Sequence, residues 1–286
     1  MSRAVEHQQV AGLHVIEWAS APAGKGAAAP TVLALHGLSS TGWVWTHVAD
    51  ELPDHRVIAP DLRGRGGSAA GPGPTGLRAH AKDIAALVEE LDLRDLIIVG
   101  HSMGAYLAPM VAQEVGDRVR RLVLLDGGPR PSLPFVMTPR VVRLAFRAKL
   151  KKFEKDYPSI ESFVDRVGKK FIKNRPDLRP GVVEVLEHDL VKGPKGYRAL
   201  IDIDRSLADA VDCFFNPEVQ QALLGLTIPA HIVAATWGEG DNAKVFLDDR
   251  AVDGAVQRVR TLTAERVTCN HLTLLFTPEA TKAVAG

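Results

Sequence analysis

Ser102 lies in Gly100-His101-Ser102-Met103-Gly104, a G-x-S-x-G pentapeptide whose outer glycines let two backbone segments pass closely around the central residue. A serine hydroxyl attacks a carbonyl at neutral pH only with help: an imidazole takes its proton, and a carboxylate orients that imidazole. Of the ten histidines, His271 comes last, in Thr268-Cys269-Asn270-His271, where a base that follows serine and acid in chain order belongs. His101 is inside the pentapeptide, and the turn is expected to point it away from the serine. His36 is expected to support the loop it opens. The two cysteines, Cys213 and Cys269, are far apart and form no CxxC, which suggests neither a disulfide framework nor a zinc site. The expectation is a site without metal or cofactor.

Such a serine must be presented at the apex of a strand-turn-helix unit. Leu96-Ile97-Ile98-Val99 predicts a strand buried on both faces, and the Ala, Tyr, Leu and Met residues after Gly104 recur at helical spacing. The plainer alternative is a turn serine that caps the following helix. Further buried strands are predicted at Thr31–Leu35, Arg56–Ala59, Arg121–Leu125 and Pro229–Ala235, with a last one near Arg266-Val267. A first strand covers Val10–Trp18, and a solvated connection covers Ala19–Pro30. Helices are predicted at Trp45–Leu52, at Leu77–Leu91, where Ile84, Leu87, Val88 and Leu91 share one face, at Asn242–Val252, and after Thr277-Pro278-Glu279. Strand and helix alternate through the first half, which predicts an α/β fold with a mostly parallel sheet covered on both faces.

At Pro129 the alternation stops, and the stretch to Gly225 shows helical faces and no convincing strand. Val142, Phe146, Leu150 and Phe153 form one stripe; Ile160, Phe163, Val164, Val167 and Phe171 form another. The expected division is therefore a core of residues 1–128 and 226–286 with a helical cap at 129–225 that packs one face on the core and roofs a pocket with what remains. Between Arg140 and Arg175 there are 12 Lys or Arg against 4 Asp or Glu, in a chain whose net charge is +1. A solvated outer helix face explains that excess most simply; steering of an acidic substrate or contact with an anionic surface is the alternative.

With 286 residues, 46% of them hydrophobic and 24% charged, the composition is that of an ordinary globular protein. The near-zero net charge argues against a nucleic-acid binder. No apolar run approaches the ~18 residues of a membrane span, and no signal-peptide core opens the chain, so a cytoplasmic protein is expected. The oligomeric state is left open.

The pentapeptide, the His36-Gly37 pair after an earlier strand, the turn Asp61-Leu62-Arg63-Gly64-Arg65-Gly66 and the late Asn270-His271 together resemble an α/β-hydrolase with a helical cap. The resemblance covers residues 31 to 128 and 228 to 286, and it departs at Asn270, where the family most often has glycine. It implies Ser102 as nucleophile, His271 as base, and the backbone N–H groups of Leu38 and Met103 as oxyanion donors. For the acid it offers two places. One is the end of the strand before the cap, where Asp126 stands 24 residues after Ser102 with Gly127 and Gly128 behind it. The other is the loop after the strand following the cap, where Asp241 stands slightly late. Asp126 is preferred, by its similarity to the dehalogenase-like branch and certain lactone hydrolases, and Asp241 is the alternative. Trp43, Trp45, Phe135 and Met137 are candidates to line an apolar acyl site, with core packing the competing reading for each.

The activity expected is hydrolysis of a carboxylic ester or lactone of a small apolar substrate through an acyl-serine. A thioesterase or a carbon–carbon bond hydrolase would use the same groups. From a different class, a hydrolase-fold receptor would bind a small ligand and turn it over slowly or not at all. Epoxide hydrolases and haloalkane dehalogenases need a carboxylate nucleophile, and Ser102 argues against both.

Overall fold

The contiguous apolar runs become the strands of one sheet, because residues that are apolar at consecutive positions must be covered on both faces. The computed structural model describes residues 3–21 and 29–286. Strands β1 (Val5–Val10), β2 (Leu13–Trp18), β3 (Thr31–Leu35), β4 (Arg56–Pro60), β5 (Leu96–His101) and β6 (Val119–Leu125) precede a long insertion. Within it lie β7 (Leu190–Gly193) and β8 (Gly196–Ala199); β9 (Ala230–Ala235) and β10 (Leu262–Val267) follow it. The helices are α1 (Thr46–Asp50), α2 (Leu77–Glu90), α3 (Met103–Val115), α4 (Pro139–Leu150), α5 (Ile160–Val167), α6 (Arg179–Glu187), α7 (Ile203–Phe215), α8 (Pro217–Leu224), α9 (Asp249–Arg258) and α10 (Pro278–Ala285).

Eight strands form the main sheet in the order β1-β2-β4-β3-β5-β6-β9-β10. β1 pairs with β2, and β2 with β4, antiparallel; every pairing from β4 across to β10 is parallel. Side chains of β5 alternate between the two faces: Leu96 and Ile98 enter the core under α2 and α3, whereas Ile97 and Val99 enter the core that also holds Trp45 and Val284. A third cluster, with Phe153, Phe163 and Val164 at its centre, belongs to the insertion. The two cores immobilise the carboxyl ends of the parallel strands, and in open α/β sheets that edge is where ligands bind.

Several expectations need correction. The first predicted strand is a hairpin that begins earlier, at Val5: Ala11 and Gly12 adopt positive φ of 50° and 76°, a two-residue turn whose twist suits the flanking strands. Residues 22–28 of the predicted connection lie outside the described residues. The helix predicted from Trp45 is a 3-10 turn over Gly42–Trp45 followed by the short α1. The helix predicted from Asn242 starts instead at Asp249, because Asn242 takes a φ of 61° and the Asp248 carboxylate caps the Ala251 N–H. The insertion does contain strands. β7 and β8 form a hairpin of four-residue strands in which only Ala199 is buried, and therefore without apolar alternation to betray it. Phe171 lies beyond α5, which ends at Val167.

Candidate active site

Four segments meet at the carboxyl edge of the sheet. Between β5 and α3 the chain turns at Ser102, whose φ and ψ are 55° and −117°. A non-glycine residue held there costs about 1–3 kcal/mol of backbone strain. The turn closes because a Cβ placed on Gly100 would lie 2.2 Å from the Gly104 carbonyl oxygen, and one on Gly104 would lie 2.0 Å from that of Leu35. Only hydrogen fits at either position. The Ser102 N–H donates to Leu125 O at 2.9 Å, which ties the turn to the end of β6.

Asp126 follows directly on β6. It is fully buried and, like Ser102, has positive φ, 46°. One carboxylate oxygen accepts the Ala235 N–H at 3.1 Å; the other meets His271 Nδ1 at 2.5 Å. His271, in the loop after β10, donates its own N–H to Gly238 O at 2.9 Å. His101 Nε2 donates to His271 O at 2.8 Å, so His101 steadies this loop from the serine side. Burial first, and the His271 ring second, bring the His101 pKa down to about 3, and the ring stays neutral in the range where proteins work. On the other side of His271 the Phe246 ring stacks, with centroids 4.7 Å apart. No hydrogen bond joins Ser102 Oγ to His271 among the described residues; both line one cavity, and such contacts commonly tighten only with substrate bound.

Asp241 is elsewhere. Its carboxylate accepts from Asn270 Nδ2 at 2.8 Å and from Asn174 Nδ2 at 2.7 Å, with no bond to His271. Asn270 is fully buried and satisfied on both sides: its amide also donates to Phe171 O at 2.7 Å, and its oxygen accepts the Thr273 N–H at 3.0 Å. The residue that replaces the family's usual glycine thus latches the His271 loop to the insertion.

The loop that carries Leu38 is braced from below. Buried His36 accepts the Leu62 N–H on Nε2 at 2.9 Å and donates from Nδ1 to Gly37 O at 2.8 Å, an arrangement that requires neutral imidazole. Burial accordingly lowers its pKa to about 4. Asp61 accepts the N–H groups of Gly42 at 2.7 Å and Gly67 at 2.8 Å. Arg65, wholly buried, donates from Nε to Leu38 O at 3.0 Å and pairs with Asp209 of α7 at 2.6 Å. Burial pushes the Asp209 carboxyl up, yet Arg65 and His80 outweigh it and hold the group down to about 2. Nothing in the sequence marks the Arg65–Asp209 pair, since its halves lie on opposite sides of the insertion boundary and a charged residue inside a core is the exception.

Ser102, His101 and His271 contribute to the wall of a cavity of about 370 Å³, which Gly37 and Leu38 also line. Its apolar wall comes from Phe146, Phe153, Phe171, Phe246 and Phe276. None of the four side chains expected to line it does so. Trp45 is fully buried in the sheet core, Trp43 stacks on His188 with centroids 3.6 Å apart, Phe135 is fully exposed, and Met137 packs against the core's edge. Val44, between the two tryptophans, lines the cavity instead of them, and the aromatic part of the wall comes from later parts of the insertion and from loops near the end of the chain.

The comparisons agree with this architecture. The family model described as alpha/beta hydrolase fold matches residues 30–181, a little over half of the chain. The lipase LipV of Mycobacterium tuberculosis (strain ATCC 25618 / H37Rv) is 37% identical over 95 residues, covering 33% of this chain and 36% of that protein. Epoxide hydrolase 2 of Siraitia grosvenorii is 33% identical over 190 residues, covering 60% of this chain and 54% of that protein. These matches thus span between about a third and about half of the relatives' own length. Among solved structures, E-2-(acetamidomethylene)succinate hydrolase superposes with a TM-score of 0.78 at 21% identity, over 99% of this chain and 98% of that one. With an elbow, a parallel sheet and a family match that agree, the chain belongs to the α/β-hydrolase fold family.

Proposed function

We propose that the protein hydrolyses a carboxylic ester or lactone through an acyl-serine intermediate, with residues 129–225 acting as a cap over the site. The observation that carries this reading is the 2.5 Å contact between His271 Nδ1 and buried Asp126, beside the cavity that Ser102 enters from a strained turn. With Nδ1 engaged, His271 offers Nε2 as the base. Ser102 Oγ attacks the acyl carbon and its proton passes to Nε2. The tetrahedral oxyanion is stabilised by the N–H groups of Met103, which opens α3 and has no acceptor within the helix, and of Leu38. As the C–O bond breaks, the proton moves to the departing alkoxide. Water then attacks the acyl carbon as it gives its proton to the same nitrogen; the bond from that carbon to Ser102 Oγ breaks, the proton returns to Oγ, and the acid is released. Asp126 keeps the tautomer and steadies the imidazolium at both stages.

A cavity of about 370 Å³ suits a small molecule. Opening an epoxide, the reaction in the name of the Siraitia relative, calls for a carboxylate nucleophile, and the serine at the elbow favours acyl transfer instead. The test is a fluorophosphonate probe together with a panel of aryl esters and lactones. Wild-type protein should be labelled and should turn over at least one substrate, while Ser102→Ala, folded normally by circular dichroism, should be neither labelled nor active. Retained turnover in that variant refutes the reading.

A further inference from the structure

The cavity wall is not only apolar. Four cations reach it from the insertion: Lys149 near the end of α4, Lys152 in the turn that follows, Arg166 on α5 and Lys170 just beyond. Two carboxyl residues, Glu239 and Asp189, share that wall. Glu239 is already occupied, since Lys149 donates to one of its oxygens at 2.9 Å and Lys170 pairs with the other. Asp189 supplies little charge: burial pushes its carboxyl up to about 7, and Thr41 Oγ1 donates to it at 2.6 Å. Among the described residues no carboxylate lies within ion-pair distance of Lys152 or Arg166. Lys152 is moreover only partly exposed, with its ammonium 5.2 Å from the centre of the Phe153 ring. Burial and the charges of Lys170, Arg166 and Lys149, opposed by Glu239, bring its pKa down to about 8, as befits a cation short of counter-charge.

A solvated helix face accounts for most of the positive excess between Arg140 and Arg175, but not for an unpaired lysine turned into the cavity that Ser102 and His271 share. Withdrawing a cation from water without a partner is costly, and within low-dielectric walls its field is concentrated on whatever occupies the space. We propose that the substrate carries an anionic group, carboxylate or phosphate, at the end away from the scissile carbonyl, and that Lys152 and Arg166 bind it. The assignment of the reacting end rests on the acyl-serine reading; the anion site does not. It also amends the expectation of a wholly apolar substrate: the phenylalanine walls take the carbon chain and the cationic roof takes its end.

Three 4-nitrophenyl esters of similar length read the preference: the hexanoate, the half-ester of adipic acid and the 5-phosphonopentanoate. Wild-type kcat/KM for an anionic ester should exceed that for the hexanoate by about tenfold or more, chiefly through KM, in keeping with a charge-assisted contact. The adipate and phosphonate arms distinguish a carboxylate site from a phosphate site. In the Lys152→Met/Arg166→Met protein the ratio should fall to near one, Lys152→Arg should keep it, and Lys192→Met, on the exposed β7–β8 hairpin outside the cavity, should not alter it. A wild-type preference for the hexanoate, or a ratio unmoved in the double variant, overturns the proposal. Calorimetric titration of adipate and of inorganic phosphate reads the anion site without turnover. If no ester is cleaved, the acyl-serine reading fails alone, and binding that weakens about tenfold or more in the double variant still supports the anion site. Absence of binding by both anions refutes it.

Discussion

Two residues of the proposed triad, Ser102 and Asp126, sit in the left-handed region of backbone space that side chains avoid, and both directly follow a parallel strand. Strain of this kind persists only where packing over-determines it. Here the N–H of each is bonded to a neighbouring strand, Ser102 to Leu125 O and Asp126 to Val233 O, both at 2.9 Å. A choice between two acids follows directly. Asp126→Asn should cut kcat on the order of 10⁴-fold, because an amide in place of the carboxylate no longer enforces the His271 tautomer. Asp241→Asn should leave kcat within about threefold, since its carboxylate holds only side-chain amides in a partly exposed loop. The reverse pattern, from steady-state kinetics of the two variants, would overturn the assignment. The serine was legible in sequence because glycine spacing records a steric need. For the acid, spacing and the glycines behind Asp126 gave a preference over Asp241 and no more, because both residues follow a strand and contact with His271 is a matter of geometry. The wall aromatics were illegible for a related reason. An aromatic side chain satisfies a core and a pocket equally well, and Trp45 went to the core.

At the scale of elements, α7 does more than cover the sheet. Through Asp209 it clamps Arg65, and Arg65 in turn holds the carbonyl of Leu38 in the loop proposed to donate to the oxyanion. Removing one half of a buried pair leaves the other charge unpaired, so Asp209→Ala should lower unfolding stability by about 3–5 kcal/mol in urea denaturation. The double variant Arg65→Met/Asp209→Leu removes both charges and should recover most of that loss. Its kcat should stay depressed, because the Nε donor to Leu38 O is gone. Full recovery of kcat in the double variant would show that the pair acts only on stability. Helices α2, α4 and α5 were visible as stripes, and the strands β3, β5, β6 and β9 as runs of aliphatic residues, since burial leaves a period in the sequence; α7 was not singled out. β7 and β8 were not visible. Only Ala199 among their residues is buried, and what holds them is a four-residue backbone ladder together with the isolated bridge from Tyr197 to Tyr157.

Across the whole molecule, insertion and core are joined by buried polar contacts, Thr41 to Asp189, Arg65 to Asp209 and Asn270 to the Phe171 carbonyl, and nearer the surface by the Trp43 ring stacked on His188. Stability also depends on pH through buried groups, His36 and His101 within the core and Asp189 where the insertion meets it. His36 and His101, whose pKa values burial lowers to about 4 and about 3, remain neutral in the folded protein while the unfolded chain takes up protons below about 6.5. Their contribution is complete above that value and is lost as pH falls towards 4 and then 3. Asp189 acts with the opposite sign. Its carboxyl, raised by burial to about 7, keeps a proton that the unfolded chain releases near 4, so its contribution declines as pH rises from about 4 to about 7. Over that window two histidines oppose one aspartate, and for these three groups together stability should rise with pH, more shallowly than the histidines alone would give. Asp189→Asn keeps an oxygen for the Thr41 hydroxyl and removes the ionisation. It should melt close to wild type near pH 4 and higher by several degrees near pH 8, where the buried carboxylate costs up to about 4 kcal/mol. A lower melting temperature for the variant at the upper pH would mean that the folded protein stabilises the Asp189 carboxylate after all, which would also put a negative charge in the cavity wall facing the proposed anion site.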